Sequence, residues 1–138
     1  GGDSSRILPD IERRNLADRV IVVDDVYEVD DYYAASDFTV FSSEYESFCL
    51  SILEGMRHGL PSVSFAVGGI PEVVEEGKTG FLVPFEDTEG LGQAIARLAQ
   101  DSALRDRMGD AARRRAIEAF SADTVVESYL EAYRNVLA

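Results

Sequence analysis

The run Asp37-Phe38-Thr39-Val40-Phe41 passes through a polar turn into a helical pattern that opens between two acids, Glu46 and Glu54. Gly59 then fits as a helix stop, Leu60-Pro61 bars continuation, and Ser62-Val63-Ser64-Phe65-Ala66 reads as the next strand. Strands that alternate with helices in this way predict a parallel sheet covered by helices on both faces. In open sheets of that kind, the turn between a strand and the following helix N-terminus is where ligands sit. Unpaired N–H groups there favour an anion such as a diphosphate. A helix over residues 46–58 would put the two acids roughly 12 Å apart along its axis. That is about the length of a sugar joined through a diphosphate to a ribose.

The rest of the chain extends the alternation. Ser4 or Ser5 can cap a helix containing Ile7, Leu8, Ile11 and Leu16, bent near Pro9. Arg19-Val20-Ile21-Val22-Val23 predicts a buried strand that Asp24-Asp25 ends. Residues 27–36 predict a short amphipathic helix with Tyr32, Tyr33 and Ala35 inward. After the strand at 62–66 come a glycine turn, Gly68-Gly69, and a helix start at Pro71. Residues 75–80 form a turn into a last strand, Phe81-Leu82-Val83. From Asp87 the pattern is helical to the end. Leu91, Ile95 and Leu98 make one face, and Leu104, Met108, Ala112 and Ile117 another. Val125, Val126, Tyr129, Leu130, Tyr133 and Leu137 form an apolar stripe on the terminal helix.

Length and charge narrow the function classes. At 138 residues the chain is long enough for one domain with a real core. A formal charge of −13 argues against nucleic acid or an anionic membrane as a major partner, since both need basic surface. Cys49 is the only cysteine, which rules out an internal disulfide and suits a cytoplasmic location. No Cys/His cluster points to a metal, and no apolar run approaches the ~18–20 residues of a transmembrane helix. The opening Gly1-Gly2-Asp3-Ser4-Ser5 does not read as a signal peptide, and without an initiator Met the chain is expected to begin inside a larger protein.

Five stretches in one order carry a family resemblance. They are Ala34-Ala35-Ser36-Asp37-Phe38-Thr39-Val40-Phe41-Ser42-Ser43 with the E-x7-E pair Glu46 and Glu54, then Gly59-Leu60-Pro61-Ser62-Val63. Gly68-Gly69-Ile70-Pro71-Glu72-Val73-Val74 and Gly77-Lys78-Thr79-Gly80-Phe81-Leu82-Val83 follow, and the tail runs from Ala112-Arg113-Arg114-Arg115 through Phe120-Ser121 to Tyr133-Arg134. The chain resembles the C-terminal, nucleotide-sugar-binding domain of retaining GT-B glycosyltransferases of the glycosyl transferases group 1 kind (GT4). The resemblance covers nearly the whole chain. It implies an α/β fold, a Rossmann-like parallel sheet flanked by helices, forming a partial GT-B C-terminal domain that lacks its first β-α-β unit.

The resemblance also implies roles. Glu46 would be the catalytic residue and would face hydroxyls of the donor sugar. Glu54 would accept from the ribose. The backbone of Ser47, Phe48, Cys49 and Leu50, with Gly68 and Gly69, would line the donor. Transfer of a hexose-type sugar from an NDP-sugar would retain configuration with no obligatory metal and no cofactor, the helix terminus carrying the leaving-group charge. The family usually has glycine at the positions of Ser47 and Cys49, a departure expected to bear on donor choice or affinity. Its strand order, 3-2-1-4-5-6, places two further strands between those at 20–23 and 38–41, leaving them roughly 14 Å apart at ~4.8 Å per step.

The chain is therefore expected to be a fragment, inactive alone. An N-terminal domain or a self-associated chain would complete it, and residues 120–138 would pack toward that domain. The acceptor is left open, and the full-length protein would be cytoplasmic or peripheral to a membrane. Two other readings stay open: a non-catalytic split or degenerate module that pairs with a partner chain, and a fragment of a GT-B nucleotide-sugar epimerase. Taken alone, Arg113-Arg114-Arg115 reads as a solvated helix face, His58 as a charge near a helix C-terminus, and Cys49 as a small neighbour of core or ligand.

Overall fold

The computed structural model describes residues 4–137. The reading of the opening residues 1–3 and the last residue of the predicted terminal helix, Ala138, lie outside the described residues. Where length predicts one domain, the chain divides into two compact units, Gly1–Asp31 and Tyr32–Ala138.

The first unit departs most from expectation. A 3-10 turn, Ser4–Arg6, leads into α1 (Leu8–Arg13), with Pro9 in its first turn and Ile11 buried. The helix ends before Leu16, whose N–H returns to the Ile11 carbonyl. Residues 20–23 do not form the predicted strand, and Ile21 is 88% exposed. A strand exists only as part of a ladder, and among the described residues the sheet contains three strands, none of them here. The run is rich in β-branched residues, but propensity without a hydrogen-bonded neighbour does not make a strand. The predicted helix at 27–36 shrinks to α2 (Asp30–Ala34). Of its three residues expected inward, Tyr32 and Ala35 are exposed and only Tyr33 is partly buried.

The second unit holds the expected sheet. Strands β1 (Thr39–Phe41), β2 (Ser62–Phe65) and β3 (Gly80–Val83) are all parallel in the order β1-β2-β3. Thr39 pairs with Ser62, and Ser62 in turn with Gly80. β2 is central and wholly buried, so its serines need internal partners. Ser62 Oγ lies 2.8 Å from Thr39 Oγ1, and Ser64 Oγ donates to the Phe65 carbonyl. On the β3 edge, the Leu82 N–H donates to the Glu76 carboxylate, so a side chain occupies what would otherwise be an open ladder site.

The crossovers are α3 (Leu50–Arg57) and the four-residue α4 (Ile70–Val73). Gly59 ends α3 as predicted: φ is +78°, its N–H bonds Met56 O, and the Leu60 N–H bonds Gly55 O. This is a Schellman closure, which needs a residue at ease with positive φ. Three helices complete the chain: α5 (Thr88–Gln100), α6 (Ser102–Phe120) and α7 (Ala122–Leu137). Asp87 and Asp101 cap α5 and α6, accepting from Gly90 and Leu104 N–H. Ile52, Met56, Ile70, Val73 and Ala112 form one core cluster, and Val63, Phe81, Leu98, Leu104 and Met108 a second. Ile117, expected on one face with Leu104, Met108 and Ala112, is instead 58% exposed, and Ala116 takes the buried position. The α7 stripe is exposed along its length.

The basic triplet is not a uniform solvated face either. Arg113 and Arg114 are exposed, but Arg115 reaches back to the end of α4. Its guanidinium donates to the Val73 and Glu72 carbonyls and to the Glu75 carboxylate, and lies over the Phe120 ring. Lys78 pairs with the other Glu75 oxygen at 2.6 Å. The hydrogen bond with Lys78, above all, holds the Glu75 carboxyl below the usual carboxylate range; burial opposes it, and the charge of Arg115 adds to the lowering. Because the folded value is the lower one, this stabilisation is present above the unfolded value of about 4.3 and disappears as pH falls through the folded value. The melting temperature of Glu75→Gln should therefore lie below wild type at about pH 6, and the two should converge in acid. Parallel curves across the whole range would exclude the effect.

Candidate donor site

The site is built by two loops at the carboxyl ends of neighbouring parallel strands. Residues 42–49 follow β1, and residues 66–69 follow β2. The helix after β1 starts four residues later than expected. Residues 46–49 are not helical, and Cys49 occupies the cap position with φ 61° and ψ 72°. The helical spacing of Glu46 and Glu54 predicted from their sequence separation therefore does not hold. Glu54 lies within α3, while Glu46 lies on the loop in front of it.

The left-handed backbone at Cys49 is a conformation that glycine adopts most easily. A non-glycine residue costs roughly 1–2 kcal/mol in this region. Packing offsets that cost, because the Cys49 side chain is buried with Ile52 and Met56. Burial, above all, pushes the thiol pKa up, and the nearby Glu46 adds to the shift. A thiol kept protonated is a poor nucleophile, in accord with its reading as a small packing group. Ser47 is exposed.

Phe48 turns its ring inward onto Phe120, centroids 5.6 Å apart, which anchors the loop from below. Its side chain is thus part of the support, and only its backbone is left to meet a ligand. Leu50 is exposed at the first helical position. Cys49 supplies no side-chain cap, and among the described residues no acceptor reaches the N–H of Leu50 or Ser51. Those donors are available to an anion.

Gly68 and Gly69 prove to be a close-approach turn, and what they approach is the other loop. The Gly69 N–H donates to the Glu46 carbonyl at 3.0 Å. A methyl group on Gly69 would lie 2.1 Å from the Ser47 carbonyl oxygen, and one on Gly68 would lie 1.7 Å from that of Glu46. The two loops are in backbone contact, which only glycine permits.

The acids are held differently. Glu46 is partly buried, and its Oε1 accepts from Ser43 Oγ at 2.9 Å. Glu54 is exposed, and its Oε2 accepts from the Tyr33 hydroxyl at 3.1 Å. Sequence reasoning placed Tyr33 inward but gave it no role at the site. Its signal was weak, because Tyr32 beside it has the same chemistry and points elsewhere. Among the described residues no group of three or more His, Cys, Asp or Glu could hold a metal ion, and no helix is long and apolar enough to cross a membrane.

In open parallel sheets, the loops at the carboxyl ends of neighbouring strands, beside a helix N-terminus, are where ligands bind. Residues 1–115 match the family model described as glycosyl transferases group 1. The chain belongs to that family, and it corresponds to the C-terminal domain portion of GT-B glycosyltransferases. It is 36% identical over 137 residues to N-acetyl-alpha-D-glucosaminyl L-malate synthase of Bacillus anthracis, covering 99% of this chain and 36% of that protein. Among solved structures, a sucrose-phosphate synthase from Thermosynechococcus elongatus superposes with a TM-score of 0.86 at 33% identity, covering 96% of this chain and 34% of that one. Anabaena HepE in complex with UDP gives a TM-score of 0.88 at 26% identity, covering 95% of this chain and 36% of that one. The chain thus spans little more than a third of the length of these relatives.

Proposed function

We propose that this chain is the donor-binding part of a retaining glycosyltransferase, taking a nucleotide-activated hexose. The single observation that carries the reading is the backbone contact between the Glu46–Ser47 loop and Gly68-Gly69, beside the open N-terminus of α3. In this reading the diphosphate meets the N–H groups of Leu50 and Ser51, where the helix dipole favours negative charge. Glu54 accepts from the ribose hydroxyls. Glu46, fixed by Ser43, accepts from hydroxyls of the sugar; a carboxylate suits diols because each of its oxygens accepts while each hydroxyl donates. No metal enters the scheme, since the developing charge on the leaving diphosphate is met by backbone donors. That HepE, on which this chain superposes, was solved in complex with UDP supports a nucleotide as the ligand. The exposed apolar stripe of α7 suits a helix that packs on the acceptor-binding domain of a longer protein.

Calorimetry with UDP tests this directly. Wild type should bind, and Glu54→Ala should bind about 10- to 100-fold more weakly, the range for losing a charge-assisted hydrogen bond. Equal affinities would refute the ribose role. Absence of UDP binding by the wild-type chain would refute the donor reading for the chain as it stands.

A further inference from the structure

The Tyr33 hydroxyl is 3.1 Å from Glu54 Oε2 and 3.1 Å from the carbonyl of Ser51 in the first turn of α3. Its ring stacks on His58 with centroids 5.5 Å apart, at the far end of the same helix. The ring edge also faces Gly55, where a methyl group would come within 3.6 Å of Tyr33 Cε1 and 3.1 Å of the Thr39 methyl. Tyr33 is therefore laid along one side of α3 and held there by contacts other than the one it makes to Glu54. Its own position does not depend on that carboxylate.

We propose that Tyr33 is a positioning residue for the ribose subsite: it fixes the rotamer of Glu54 so that Oε1 is presented to the ribose hydroxyls. This rests on the ribose role given above to Glu54. An exposed glutamate samples several rotamers, and binding must freeze them. A hydroxyl donor on a rigid ring does the freezing beforehand. It also divides the work of the carboxylate: Oε2 accepts from the Tyr33 hydroxyl, and Oε1 is the oxygen offered to a sugar hydroxyl. Burial, followed by the bond to Glu54, pushes the Tyr33 pKa up to about 12, so the hydroxyl keeps the proton it donates.

The experiment is calorimetry on the whole chain with UDP and with 2′,3′-dideoxy-UDP, for wild type, Tyr33→Phe, Glu54→Gln and the double variant. Phenylalanine keeps the ring, its stacking on His58 and its packing on Gly55, and circular dichroism checks the fold. Tyr33→Phe should weaken UDP binding roughly 2- to 10-fold and leave dideoxy-UDP binding unchanged. In the double variant it should add nothing to the effect of Glu54→Gln, because the carboxylate it orients is gone. Equal weakening toward both nucleotides would show a merely structural role, and no change toward either would show none. Both outcomes overturn the inference. If Glu54→Gln loses the preference for UDP over the dideoxy compound while Tyr33→Phe keeps it, the ribose reading stands and the positioning role alone falls. If wild type has no such preference, both fall together.

Discussion

Gly68→Ala is expected to destabilise the chain by roughly 2–5 kcal/mol and to weaken UDP binding at least about tenfold. Two costs add. Gly68 has φ +51°, a region that costs an alanine roughly 1–2 kcal/mol. Its new methyl would also stand 1.7 Å from the Glu46 carbonyl oxygen, with the Glu46 carbonyl carbon at 2.8 Å. These are backbone atoms, so no side-chain rotation relieves the overlap and one loop has to move. The loop that moves carries either Glu46 or the start of α4, whose Ile70 and Val73 are fully buried. Overpacking of this kind adds roughly 1–3 kcal/mol. Gly77→Ala provides the control. Its φ is +70°, but a methyl there would meet nothing within 4 Å. It should show the conformational cost alone and leave UDP affinity intact. Urea unfolding followed by circular dichroism, with calorimetry on the same samples, separates the two variants. Identical behaviour would mean that the loop contact is not what builds the site.

Arg115→Ala should cost about 2–3 kcal/mol and make the glycine turn less ordered. The arginine is 24% exposed, and its guanidinium serves two main-chain carbonyls, Glu72 and Val73, together with the Glu75 carboxylate. Those carbonyls lie at the end of a four-residue helix that has few internal hydrogen bonds to lose. Removing the guanidinium strands them in a partly buried position, which costs more than the ion pair itself contributes. The planar fork reaches three acceptors at once, so Arg115→Lys should recover only part of the loss. Because α4 begins at the site glycines, hydrogen exchange at Gly69 and Ile70 should rise in Arg115→Ala. Unchanged exchange would confine the arginine to a surface role.

Much of the second unit was legible in the chain. Alternation of β-prone runs with helix-stop and turn residues gave the three parallel strands, the Gly59 closure and the order of helices, because each rests on local backbone preferences. The acids of the candidate site were legible as residues but not in their geometry. The helix of α3 starts at Leu50 rather than Glu46, since Cys49 adopts a left-handed conformation that no periodicity reveals. Arg115 was hidden among three adjacent arginines of equal helical propensity. Only the crossing of α6 over the end of α4 picks one of them out.

By itself, then, the sequence determined which segments favour strand or helix, where the chain must turn, and which side chains can offer carboxylates and small backbone contacts. All of these are encoded within a few residues. The tertiary structure alone decided that residues 20–23 remain outside the sheet, that Gly68-Gly69 presses on the loop of Glu46, and that Tyr33 rather than Tyr32 meets Glu54. Those outcomes depend on contacts between residues far apart in the chain, where a strand needs a neighbour and a hydroxyl needs an acceptor within about 3 Å.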